Sequence, residues 1–257
     1  FMGTVPLQAC ESTAAVRKVY PTSDALPENI LRLYVYFTAP MAATDPAQHI
    51  VLHDASGTVI PDVFLPTRFA LWSPDRKRLT VIFNPARVKT GLEANVTRGR
   101  ALAAGRTYTL FVDPAMRDAT GCQLASGYTK RFHVTPEDFD IPAPETWTMA
   151  LPTPGTREPL RVTLNGSHDH LSLAHGLRVR NADGTVLAGR ISVKDAESAW
   201  IFTPAESWAA TQHTLHIDGK FEDLAGNRTT GLFDDPTGQG RLNAARSPNR
   251  QIEFGLN

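Results

Sequence analysis

Leu33-Tyr-Val-Tyr-Phe-Thr-Ala-Pro-Met41 and Leu160-Arg-Val-Thr-Leu-Asn-Gly-Ser-His168 are two versions of one pattern, 127 residues apart. At the same offset Ile50-Val-Leu-His-Asp-Ala-Ser-Gly-Thr-Val-Ile60 lines up with Leu177-Arg-Val-Arg-Asn-Ala-Asp-Gly-Thr-Val-Leu187. Both blocks show the period-2 alternation of a strand with one buried face. Gly57 and Gly184 fall where the hairpin turn demands positive φ. Val81-Ile-Phe-Asn-Pro85 then matches Trp200-Ile-Phe-Thr-Pro204, and Tyr108 to Cys122 matches His213 to Asn227 at an offset of 105. The first copy therefore holds about 20 extra residues, and the repeat divides the chain in two.

Working outward from these blocks, the first copy reads as seven short strands near 15–20, 31–38, 49–54, 58–65, 79–84, 107–113 and 128–135. The only helical signal is a turn or two near Asn95 to Ala104. Seven alternating strands in about 100 residues, with turn signals every 8 to 12 positions, predict an all-β chain of two tandem immunoglobulin-like Greek-key β-sandwiches. The expected boundaries are 11–136 for the first, with a basic insertion near 86–106, and 146–257 for the second. Residues 137–145, with Pro142 and Pro144, read as a semi-rigid linker. In the second copy a polar loop is expected over 236–249 and a closing strand over 250–256.

The 18 Gly and 19 Pro suit many short strands, and 42% apolar residues are too many for wholesale disorder. There is no apolar run of 18 residues to span a membrane as a helix. A net charge of zero argues against a generic nucleic-acid binder. That zero is the sum of opposite halves: residues 1–136 carry 15 Lys/Arg against 10 Asp/Glu, and residues 137–257 carry 11 against 16. Ordinary variation in surface charge explains this asymmetry; docking of one half on the other and two different surfaces presented to partners are the alternatives.

The succession FTAPM, IVLHDASGTVI, LTVIFNP, LAAGRTYTLFVD, DATG and RFHV, repeated as LRVTL, LRVRNADGTVL, WIFTP, HTLHID and DLAGN, resembles the bacterial SbsA-type Ig-like domains of surface-layer and other exported proteins. The resemblance covers most of residues 15 to 236. It implies a non-catalytic cell-surface or periplasmic binding or structural module, with an unidentified protein or glycan of the cell envelope as partner, and it implies no required cofactor. Two places depart from the family pattern: Cys122 stands where Asn is usual, and His168-Asp169-His170 replaces an apolar loop.

Those departures supply the candidate sites. Cys10 and Cys122 have no CxxC spacing, so three states stay open: a Cys10–Cys122 disulfide, acylation of Cys10 after Leu7-Gln8-Ala9 as a lipid anchor, or free thiols. His168, Asp169, His170 and His175 offer nitrogen and oxygen donors to Zn²⁺ or Cu²⁺, because His-x-His on an extended loop puts two imidazoles on one side. A metal-dependent hydrolase is the function that site would serve. Arg76, Lys77, Arg78, Arg87, Lys89, Arg98 and Arg100 form a basic run in the first copy, suited to phosphate, sulfate or an acidic polysaccharide, with Trp72, Trp147 and Trp208 as stacking candidates and Trp200, in WIFTP, as a core residue. A carbohydrate- or anion-binding accessory module is the corresponding function. Asp118 and Asp223 read as turn-capping carboxylates, Tyr108 as a tyrosine corner and His213 as a core histidine bonded to backbone.

Overall fold

The computed structural model describes residues 10, 13–66, 71–89, 99–235 and 248–257. The repeat folds as two β-sandwiches. In the first, β1 (Val16–Tyr20), β3 (Arg32–Phe37) and β5 (Arg78–Ile82) form one antiparallel sheet, while β2 (Ala25–Pro27), β7 (Tyr128–Thr135), β6 (Thr107–Val112) and β4 (Ile50–His53) form the other, in that spatial order. The β2–β7 pair is parallel. Consecutive strands β3 and β4 lie in different sheets, the crossover of a Greek key. In the second, β8 (Thr148–Ala150), β9 (Leu160–Thr163), β12 (Ala199–Pro204) and β11 (Gly189–Lys194) oppose β10 (Leu177–Arg180), β13 (Gln212–Ile217) and β14 (Arg250–Gly255).

Each sandwich is held by its own core. Leu33, Val35 and Phe37 alternate inward on β3 against Leu79, Leu110 and Phe132. Leu160, Val162, Trp200, Phe202, Leu215 and Phe254 fill the second. Three of the four tryptophans are spent there, each donating its indole N–H internally: Trp147 to Asn165, Trp200 to the Leu173 carbonyl and Trp208 to the Glu158 carbonyl. Burial at this depth removes them as stacking platforms for a sugar.

Several local expectations are met. Tyr108 accepts a hydrogen bond from the Ala103 N–H at 3.0 Å, the tyrosine-corner device. His213 is buried with Nε2 3.1 Å from the Ala209 carbonyl oxygen. Asp118 Oδ1 accepts from the N–H groups of Thr120 and Cys122, and Asp223 Oδ1 from those of Ala225 and Asn227. The strand expected over 58–65 is instead a pair of isolated bridges at Val59 and Phe64. The helix expected near 95–104 begins outside the described residues, and 99–104 is non-helical. Among the described residues two short α-helices form elsewhere, α1 (Pro85–Val88) and α2 (His170–His175). Of the polar loop 236–249, residues 236–247 lie outside the described residues; the closing strand is β14, paired with β13.

Candidate functional site

Asp169 and His170, two of the residues that promise chemistry in the sequence, lie where one end of the second sandwich meets the outer face of β1–β3–β5. That face follows from alternation: with Leu33, Val35 and Phe37 turned inward, Arg32, Tyr34 and Tyr36 point out. Tyr34 is nevertheless only 1% exposed, because the second sandwich covers it.

Asp169 makes the central contact. Its Oδ1 caps α2 by accepting from the Ser172 N–H at 2.9 Å, and its Oδ2 accepts from the Tyr34 hydroxyl at 2.7 Å with Arg32 Nε 3.7 Å away. The Arg32 guanidinium also pairs with Glu222, whose other oxygen accepts from Arg228 at 2.7 Å. His170 stacks on Tyr20 with centroids 3.7 Å apart, and its Nε2 lies 3.0 Å from the Tyr36 hydroxyl. Desolvation there, aided by Arg78, His175 and Lys18 and opposed by Asp169, lowers the His170 pKa to about 4. Glu197, 2% exposed, accepts from both the N–H and the hydroxyl of Thr22 at 2.8 Å. Leu224 enters the first core, with its carbonyl accepting from the Leu31 N–H at 3.0 Å.

The two imidazoles of His168 and His170 do not share a side. The chain turns helical at His170 under the Asp169 cap, so His170 faces the first sandwich while His168 enters the core of the second, between Trp147 and Phe221. His168 Nδ1 lies 2.8 Å from the Gly166 carbonyl oxygen, its Nε2 is buried without a partner, and burial lowers its pKa to about 4. His175 ends α2 and is exposed. Among the described residues no three His, Cys, Asp or Glu side chains are grouped to hold a metal ion. The missed signal is the Asp169 cap seven residues before the Gly176 stop, a helix signature hidden by the histidines.

The basic run is likewise divided. Arg87 donates to the carbonyls of Pro61, Gly99 and Arg100, and Arg100 to that of Val88, so both clamp the insertion. Arg100 also pairs with Glu137 of the linker and lies 3.5 Å from Asp234. Lys89 sits 4.2 Å from the Phe233 ring centre. Arg98 lies outside the described residues. Among the described residues of the run only Arg76, Lys77 and Arg78 remain together, where the turn passes into β5. Cys10 and Cys122 are joined in a disulfide, so neither sulfur is a free thiol and Cys10 Sγ is not open to acylation in this state.

Backbone bonds show which residues are true counterparts. The Met41 N–H donates to the Arg76 carbonyl as the His168 N–H does to that of Glu197; the Ala42 N–H donates to Arg117 as the Asp169 N–H does to Glu222. Met41 and His168 each bridge the capping aspartate, Asp118 or Asp223. The β5 and β12 blocks therefore correspond two residues away from their sequence match, and Ala42, Arg76 and Arg117 stand where the second sandwich carries Asp169, Glu197 and Glu222.

No protein-family model matches the chain, and no curated protein matches it. Among solved structures it is similar to the surface layer protein SbsC, domains 1–6 (16% identity, TM-score 0.35, covering 96% of this chain and 26% of that one). It is also similar to alpha-2-macroglobulin from Escherichia coli spanning domains MG0-NIE-MG1 (12%, 0.30, 95% and 71%) and to tandem Ig repeats of Dlar (10%, 0.24, 76% and 84%). The chain spans about a quarter of the SbsC chain it matches.

Proposed function

We propose that this chain is a non-catalytic structural module, two Ig-like sandwiches locked at a fixed angle, that works exported at a bacterial cell surface or in the periplasm. One observation carries the reading: Asp169, His170, Glu197 and Glu222, the residues best suited to chemistry, are spent on Tyr34, Tyr36, Thr22 and Arg32 of the neighbouring sandwich. Polar groups buried and paired against each other fix orientation. The Cys10–Cys122 disulfide supports an oxidising compartment.

Backbone ¹⁵N relaxation with residual dipolar couplings tests the module as it stands. The expected result is one common tumbling tensor for both sandwiches, loosened in the Tyr34→Phe/Asp169→Asn double variant. Independent tumbling in the unaltered protein overturns the reading.

A further inference from the structure

Beyond the footprint of the second sandwich, the outer face of β1–β3–β5 runs into a cleft of about 400 Å³. Arg17, Tyr36, Ser73, Asp75, Lys77 and Arg78 line it. Arg17 comes from β1 and lies 5.7 Å from the Tyr36 ring centre. Lys77 and Arg78 come from the turn into β5, where Arg76 takes a left-handed φ of 55°. The one acid, Asp75, is engaged internally: its Oδ1 accepts from the Ser73 hydroxyl at 2.5 Å and from the Lys77 N–H at 3.1 Å. Among the described residues none of Arg17, Lys77 and Arg78 has an ion-pair partner; the Arg78 side chain hydrogen-bonds Tyr36, and its Nε is buried with no acceptor.

Arg17 and Lys77 are exposed and unpaired, so an oxyanion supplied from outside gains charge-assisted hydrogen bonds without displacing an internal ion pair. Guanidinium forks match the planar carboxylate and the sulfate oxygens, and exposed Pro74 gives an apolar lip beside them. The counterpart turn in the second sandwich sharpens the contrast. There Asp195-Ala196-Glu197, also left-handed, is acidic and holds Thr22. The same turn with the opposite charge is uncovered in the first sandwich.

We propose that this cleft binds the carboxylate or sulfate groups of an acidic polysaccharide, with Arg17, Lys77 and Arg78 as the anion-binding side chains. This goes beyond the structural role, which needs no ligand. The Tyr36 hydroxyl joins the cleft to His170, so a bound saccharide lies beside the inter-sandwich contact.

Calorimetric titration with oligogalacturonate and with heparin hexasaccharide distinguishes carboxylate from sulfate recognition; neutral dextran is the control. The expected result is binding of one or both anionic probes, weakened by salt, with none of dextran. Arg17→Glu/Lys77→Glu, both exposed, is expected to lower affinity at least about tenfold. Arg190→Glu/Lys194→Glu, an equal change in net charge on β11, should leave it within about twofold. Should the double reversal perturb folding, Lys77→Gln alone is expected to weaken binding about threefold. The proposal is overturned if neither anionic probe binds, if dextran binds equally well, or if the cleft variants and the β11 variant weaken binding alike.

Discussion

The same loop end occurs twice in this molecule, and only one copy is a joint. In the second sandwich it carries His168, Asp169, Glu197, Glu222 and Asn227; in the first, Met41, Ala42, Arg76, Arg117 and Cys122 occupy the corresponding places. The scaffold is unchanged, since Asp118 and Asp223 bond their turns identically. What differs is the side chains laid over it, and these decide whether the end faces a neighbour. The last pair is telling. Asn227 Nδ2 donates to the Asp138 carbonyl at 3.1 Å, tying down the linker that enters the second sandwich, whereas Cys122 ties down Cys10 at the entrance to the first. Both positions hold the incoming chain, one by hydrogen bonds and one covalently.

The sharpest way to break the contrast is at paired glycines. Gly226 has φ +80°, and a Cβ there would lie 2.2 Å from Leu31 Cδ1; Gly121, its counterpart with φ +88°, has open space around it. Gly226→Ala is expected to cost about 3 kcal/mol in urea unfolding and to reorient the sandwiches in small-angle scattering, since strain and clash add. Gly121→Ala should cost about 1 to 2 kcal/mol, from backbone strain alone, with no reorientation. Equal effects of the two would remove the distinction between joint and free end.

Next in size, Asp169→Ala gives the joint the residue found at position 42. It strips the α2 cap and leaves the Tyr34 hydroxyl and Arg32 without their acceptor, which should cost about 2 to 3 kcal/mol. Chemical denaturation measures it, and restoration of stability by Tyr34→Phe in that background reports the buried hydroxyl.

Acid should loosen the second sandwich and the joint before the first sandwich. His168 and His170 have folded pKa values of about 4 against an ordinary 6.5, so the unfolded chain binds more protons between those values. Their stabilisation is complete above pH 6.5 and is lost as pH falls toward 4, at up to about 1.4 kcal/mol per unit for each histidine. Asp223, whose pKa is raised by burial and by Asp138, works in the opposite sense. The informative quantity is therefore the difference from His168→Met, which installs the counterpart residue Met41. This variant should lose about 1 to 2 kcal/mol less than the unaltered protein between pH 7 and pH 5. Parallel pH profiles would show that His168 is not held neutral.

The smallest effect is expected at the charge-inverted turn. Arg76→Glu should shift stability by less than about 0.5 kcal/mol, because among the described residues the Arg76 side chain makes no hydrogen bond or ion pair to the second sandwich. Glu197→Gln should cost about 1 kcal/mol, through weakened acceptance from Thr22, and thermal melts of the pair make the comparison.

Sequence alone determined the sandwiches, because alternation and turn chemistry act over a few residues. Leu33, Val35 and Phe37 announce an inward face, and Gly57 and Gly184 announce hairpin turns wherever the chain later goes. Tyr108, His213, Asp118 and Asp223 were legible for the same reason: their partners lie within five residues. Tertiary structure alone decided what the polar residues do. Tyr34 and Asp169 are 135 positions apart and Thr22 and Glu197 are 175 apart, so no local pattern records that they meet. The opposite charges of the two halves acquire their meaning there, where Arg32 and Arg100 of the first meet Asp169, Glu222 and Asp234 of the second. A buried charge needs a partner, and only the packing of one sandwich on the other supplies it.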